Sequence, residues 1–530
     1  MYDLLFRHAK IVDGTGNPWF WGDVGLEGDR ITGLGDLSTA SAHRTIDLEG
    51  LTLSPGFIDL HSHSDLTLPG FPRAESTLQQ GITTQVVGNC GLSPFPVEPE
   101  RLDLLKSYAS LAGPKVSWDW KGAAGYAAFL ESLPLAGNVA LQVGHGALRI
   151  AAMGYEKRAP TDAELATMEK LVAEAMEEGV FGLSSGLIYV PGSYSQIEEL
   201  IALAKVAARY GGFYSSHIRG EGDTLLDAVN EAITIGREAG LPVQLSHHKA
   251  SGKANWGLVE TSLGMIDQAR AAGQDVLADQ YPYTAGSTTL TALLPQWALE
   301  GGLDAMRQRL KDPDTRRRIY EAIANAEPDT GARQFGPETI MICRVPEGPN
   351  KVYEGMMLTE IGEQRGEDAI EAALSLLASE TARIQMIVFT MSEEDVRRVM
   401  RHPAVAVGTD GSSTNPQGGG KPHPRSYSTF PRVLGHYVRE EKVLSLEEAI
   451  RKMTSLSAQR LRRYDLGLIR PGFAADLVIF NPDEINDHST YQEPHQYPTG
   501  INYVVVNGQI VLEQGQDTGA KAGRVLRRQP

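Results

Sequence analysis

Residue types that bind metals recur in this chain at the ends of apolar runs. "GFIDLHSHSD" (56–65) carries His61 and His63, "TTQVVGNCG" (83–91) Cys90, "GGFYSSHIR" (211–219) His217, "PVQLSHHK" (242–249) His247, His248 and Lys249, and "AVAVGTDGS" (404–412) Asp410. Strand residues two apart face the same side, so His61 and His63 suit one metal; alone, such a pair is as readily two half-exposed histidines. Gly88 and Gly91 flank Cys90, which predicts a sharp turn holding the thiol open at the strand end. A thiolate there is a zinc ligand at about 2.3 Å. An inert buried thiol is the ordinary alternative. Redox sensing is weaker, because the other cysteine, Cys343, is remote in sequence.

His217 and His247 stand about one βα unit apart and should occupy adjacent strand ends. With Cys90 they make a set that leaves the fourth position of a tetrahedral zinc open, as catalysis requires. His248 has the opposite parity and is expected to pack into the wall, while Lys249 faces the mouth. Asp before Gly is a common turn residue. At a strand end Asp410 could instead take a proton from activated water and return it to a leaving group. His145 and His423 are expected near the mouth without a metal role.

Such residues act together only if the strand ends converge. Eight runs qualify, the remaining three being "NVALQVGHG" (138–146), "GVFGLSSGL" (179–187) and "DVLADQYPY" (275–283), and most are followed by a helical pattern such as "TDAELATMEKLVAEAMEEG" (161–179). Eight βα units predict a closed (β/α)₈ barrel over 55–465. The charged, helix-patterned stretch 284–385 reads as an inserted helical subdomain, and the Gly- and Pro-rich stretch 412–430 as a mobile loop. Alternating runs in 1–54 and 466–530 predict a small β-sandwich domain built from both ends of the chain.

The chain has 530 residues, 42% hydrophobic and 22% charged, which suits a soluble globular protein. Its net charge of −17 argues against a nucleic-acid partner. No run approaches the roughly 20 apolar residues of a membrane span. "MYDLLFRHAKIVDG" lacks the apolar core of a signal peptide. Two cysteines cannot make a disulfide framework, so a cytoplasmic location is expected.

Together "PGFIDLHSHSD", "VVGNCG", "GLSSGLIYVPG", "SSHIRGEG", "LSHHK", "DQYPYTAGST", "VGTDGS", "HPRSYSTF" and "GLIRPGFAADLVIF" resemble the amidohydrolase superfamily, and within it the D-aminoacylase (N-acyl-D-amino-acid deacylase) family. The resemblance spans nearly the whole chain, and the cysteine and "SHHK" motifs are its specific parts. It implies a tightly held zinc on Cys90, His217 and His247, with a weaker or empty second site from His61, His63 and Asp410. It further implies that Asp410 activates water and protonates the departing amine of a small N-acyl amino acid. The substrate carboxylate would be held by Lys249, Tyr189, one or both of Tyr281 and Tyr283, and Arg425. Aromatic packing is the plainer role for the tyrosines. The insert and the spacer before Arg425 depart from shorter members, and the oligomeric state stays open between one copy and a homo-oligomer. Two rivals remain: a cyclic-amide hydrolase on the same barrel, whose relatives bridge two metals with a modified lysine on strand four, where this chain has Ser184 and Ser185; and a non-catalytic scaffold.

Overall fold

The computed structural model describes residues 1–112, 116–346, 348–380 and 383–529. Runs that are apolar on both faces become parallel strands buried on both faces. In order these are barrel strands one (Phe57–Asp59), two (Ile82–Val87), three (Asn138–Leu141 with Val143–Gly144), four (Gly182–Gly186), five (Phe213–His217), six (Val243–Leu245), seven (Val276–Gln280) and eight (Val405–Val407). Each pairs in parallel with the next, and a parallel bridge from Ser62 to Gly411 closes the ring. The eight expected strands and the closed barrel are therefore present.

The closure is fastened by a buried carboxylate. Asp59 accepts hydrogen bonds from the backbone N–H of His61 (3.2 Å) and from the N–H (2.9 Å) and hydroxyl (2.6 Å) of Thr409. Burial pushes its pKa up to about 7 against the pull of these donors. Strand one is thus tied to strand eight at the level where His61 and Asp410 emerge.

The surrounding helices follow amphipathic patterns. Asp162–Glu177 starts at Thr161 with a reciprocal capping box to Glu164 and buries Met168, Leu171, Val172, Ala175 and Met176. Its expected span of 161–179 differs by the N-cap Thr161, the C-cap Glu178 and the closing Gly179, whose φ is +95°.

Both ends of the chain contribute to one nine-stranded sheet, joined where Thr52–Pro55 pairs antiparallel with Leu477–Phe480. The last strand, Val525–Leu526, leaves that sheet and pairs in parallel with Asn138–Leu141 of the barrel. Among the described residues no helix is long and apolar enough to cross a membrane.

Two expectations need correction. The insert holds helices, including Leu303–Lys311, Pro313–Ala324 and Ala369–Ser379, but also a three-stranded antiparallel sheet ordered Ala285–Thr289, Gln385–Phe389, Ile340–Arg344. It therefore reaches 389. Short apolar runs such as "IMICR" cannot be told from helix segments by periodicity, and "AGSTT" has almost no apolar signal. The stretch 412–430 is not loop throughout, because Arg425–Arg432 is a helix whose first seven residues are buried. Its Ser-, Thr- and Tyr-rich sequence reads as a loop by composition; burial against the barrel overrides that.

Gly88, just past strand two, has φ +81°, and a Cβ there would meet the carbonyl oxygen of Gln142 on the neighbouring strand at 2.2 Å. Gly88→Ala is expected to destabilise the metal-free protein by roughly 2–4 kcal/mol, combining a left-handed backbone penalty with a clash that cannot relax cheaply. Chemical denaturation would check this; an unchanged midpoint would contradict the close approach.

Candidate metal centre

His61 lies just past strand one, Cys90 past strand two, His217 at the end of strand five, His247 past strand six and Asp410 past strand eight. The Cys90 sulfur is where they meet. His61 Nε2 lies 3.3 Å from it, His247 Nε2 3.5 Å and His217 Nδ1 3.7 Å. His63 enters through Asp410, whose Oδ1 is 3.1 Å from His63 Nε2 and 3.4 Å from His61 Nε2. His61, Cys90, His247 and Asp410 offer ligand atoms all within 4.8 Å of one another.

The turns that deliver these groups are strained. Cys90 (φ +54°), His247 (φ +36°) and Asp410 (φ +48°) all adopt the left-handed region that side chains rarely occupy. Such conformations persist where surrounding bonds over-determine them. Ser184 on strand four does this for the cysteine turn: its hydroxyl accepts from the Gly91 N–H at 3.1 Å and donates to the Gly88 carbonyl. The thiol is not held open, however. Cys90 is only 2% exposed, because the glycines admit close approach of strands three and four rather than solvent.

The donor set suits a tetrahedral metal. Ligand bonds of about 2.3 Å to sulfur and 2.0–2.1 Å to nitrogen place neighbouring donors about 3.6 Å apart, and the three sulfur–nitrogen distances bracket that value. The electrostatics of Cys90, Asp410 and His217 agree. Burial would lower His61, His63 and His247, but the neighbouring carboxylates and the sulfur outweigh it and raise all three, so those rings carry the balancing charge until a metal replaces their protons. Burial would raise the Cys90 thiol, yet His61, His217 and His247 hold it well below its usual range, which favours the thiolate a metal needs. Burial likewise opposes ionisation of Asp410, but Arg425, His247 and His63 keep it well below the ordinary carboxylate range. Burial and the neighbouring His247 depress His217, leaving it neutral as a ligand must be.

Two carboxylates stand behind the imidazoles. Asp279 Oδ1 lies 3.1 Å from His61 Nδ1 and accepts the His247 backbone N–H at 2.7 Å. Glu221 Oε1 lies 3.0 Å from His247 Nδ1 and 3.9 Å from His217 Nε2. These are the ring nitrogens turned away from the sulfur, so both carboxylates orient the rings instead of joining a metal. Lys249 Nζ, 2.5 Å from the same Glu221 oxygen, fills the place a cation would take there. Neither carboxylate was singled out in sequence. Asp279 could have been, since it ends strand seven as the histidines end theirs; Glu221 lies beyond its strand, where no period points to it.

The other expected residues divide. Arg425 opens its helix buried, with Nη1 2.8 Å from Asp410 Oδ2 and Nη2 donating to the Ser287 carbonyl at 3.1 Å. The Tyr281 ring lies between cations, 4.8 Å from the Arg425 guanidinium and 5.6 Å from Lys249 Nζ. Tyr189 meets the His217 ring edge-on at 5.0 Å and pairs its hydroxyl with Thr288 at 2.9 Å. Tyr283 instead packs on Arg432 and His423. His248 turns away to Ser262 at 2.8 Å, and burial depresses its pKa to about 4. His145 lies in a dry network with Glu199 (2.8 Å) and Arg149. His423 caps the insert, its Nε2 2.8 Å from the Ala285 carbonyl. Cys343 sits in the insert sheet, where burial pushes its thiol up to about 12.

Comparison with known proteins agrees with this geometry. The chain is 36% identical to a D-aminoacylase of Alcaligenes xylosoxydans xylosoxydans over 99% of its own length and 98% of the relative's. It is 38% identical to an N-acyl-D-glutamate deacylase of the same organism, over 99% and 96% respectively. The crystal structure of N-acyl-D-glutamate deacylase from Bordetella bronchiseptica, complexed with zinc and a phosphonate inhibitor that mimics the tetrahedral intermediate, superposes with a TM-score of 0.83 at 34% identity, covering 99% of both chains. Residues 44–512 match the family described as "Amidohydrolase family". On its strand order, its ring of ligand-bearing strand ends and these full-length likenesses, the chain belongs to the amidohydrolase family.

Proposed function

We propose that this chain hydrolyses the amide bond of N-acyl-D-amino acids, releasing a carboxylate and a free D-amino acid. The observation that carries the reading is the meeting of the Cys90 thiolate, three imidazoles and an ionised Asp410 beside the Arg425 guanidinium. Cys90, His217 and His247 would hold one zinc tightly. His61, His63 and Asp410, close to the same sulfur, would form a weaker second position. When bound, zinc supplies Lewis acidity that polarises a carbonyl and makes water acidic.

This chain's residues supply the rest. Asp410 is anchored by Arg425 through one oxygen and faces the histidines with the other. That second oxygen, 3.1 Å from His63 Nε2, takes a proton from the attacking water and delivers it to the departing nitrogen. Arg425 and Tyr281, with Lys249 behind them, hold the substrate α-carboxylate, which fixes the amide's orientation and thus the configuration that reacts. Ser184 speaks against the cyclic-amide alternative: where those relatives carry a lysine, this strand carries a hydroxyl committed to the cysteine turn. Two buried free thiols support a reducing cytoplasmic setting.

Elemental analysis should find zinc in the purified protein and lose it with Cys90→Ala. Glu221→Gln is expected to weaken zinc retention against a chelator by about 10–100-fold, because the ring orientation is lost while the ligands stay. Equal retention would remove Glu221 from that role. Zinc-loaded enzyme should turn over N-acetyl- or N-formyl-D-amino acids and leave the L-isomers and cyclic ureides; turnover of only the latter would overturn the reading. Asp410→Asn should lower kcat by about 10²–10⁴-fold, the range expected for loss of a general acid–base group.

A further inference from the structure

An open pocket lies between the barrel loops and the insert, beside the metal centre. It starts at Tyr189, whose ring meets His217. One insert strand links the two regions: Ser287 accepts from Arg425, Thr288 bonds Tyr189, and Thr289 lines the pocket. The α-carboxylate clamp and the pocket therefore flank the same metal ligands along one backbone.

The pocket wall is mostly apolar, with Ile188, Val190, Leu299 and Leu303 contributing, and among the described residues that line it Arg383 is the charged one. Arg383 is half-buried. Its guanidinium lies 5.3 Å from the Tyr108 ring centroid, and its buried Nε has no hydrogen-bond partner. Among the described residues no carboxylate forms an ion pair with it, whereas Arg425, Arg432 and Arg460 each have one. A half-buried guanidinium that hydrogen-bonds Tyr155 but has no counter-ion still has room for an anion, and its planar fork matches a carboxylate.

We propose that the pocket receives the end of the substrate remote from the α-carboxylate, and that Arg383 there selects substrates bearing a second carboxylate. The proposal rests on the N-acyl-D-amino-acid reading. The apolar wall accommodates the methylenes, and the guanidinium receives the terminal anion through paired N–H bonds. The second carboxylate can belong to the amino-acid side chain or to a dicarboxylic acyl group, since both diverge from the same amide.

The test compares kcat/KM of the zinc-loaded enzyme for N-acetyl-D-glutamate, N-acetyl-D-glutamine, N-acetyl-D-methionine and N-succinyl-D-methionine. One dicarboxylate should exceed its neutral counterpart by about 10–100-fold, the range of a charge-assisted hydrogen bond. A preference for the glutamate places the anion on the side chain; a preference for the succinyl compound places it on the acyl group. Arg383→Met should lower kcat/KM for the favoured dicarboxylate about 10–100-fold more than for its neutral counterpart, with Arg383→Lys intermediate. Equal or better turnover of the neutral substrates by the wild-type enzyme would overturn the proposal whether or not the variants fold. A preference that survives Arg383→Met would also overturn it. Turnover of none of the four would instead overturn the deacylase reading on which it rests.

Discussion

The site depends on keeping several ionisable groups dry and mutually neutralised. A thiolate among imidazoles is stable in a water-poor pocket only if each charge finds an opposite. Asp279 and Glu221 set a charge beside the outward nitrogens of His61 and His247, Arg425 beside Asp410, and Lys249 beside Glu221. The inward nitrogens and the sulfur are left to share whatever occupies the centre. Removing one outer partner would therefore affect the centre without touching any ligand.

That arrangement requires strand ends to be fixed to a fraction of an ångström, and the barrel closure provides it. Asp59 locks strand one to Thr409 of strand eight, and Asp279 spans strands six and seven by holding the His247 backbone. Left-handed turns at Cys90, His247 and Asp410 then rotate the side chains inward. Strain is concentrated at the ligands, where the bonds around them can hold it.

Much of this was legible in the sequence for a plain reason. A strand buried on both faces shows as a continuous apolar run, and a ligand at its end shows as a His, Cys or Asp where that run stops, so all eight strands and the inner residues could be read off. What was hidden is carried by contacts instead of periods. Glu221 lies past its strand, and the helix beginning at Arg425 has a loop's composition. The insert sheet was missed because its short strands pair at long range, Ala285–Thr289 with Gln385–Phe389 and that strand with Ile340–Arg344. The burial of Cys90 reversed the meaning of its glycines, which serve neighbouring backbones and not solvent.

The final strand has a consequence for how the molecule is made. Asn138–Leu141 is paired on one side by strand two and on the other by Val525–Leu526, while strand four reaches only the later half of strand three, at Val143–Gly144. The wall of the barrel thus has a gap filled by residues almost four hundred positions downstream. During synthesis, strands one to eight can emerge and begin to associate, yet this part of the wall stays open until the ribosome has released Val525. Val525 and Leu526 thus act as a latch on the third strand, and this part of the barrel wall is complete only once that distant segment has docked.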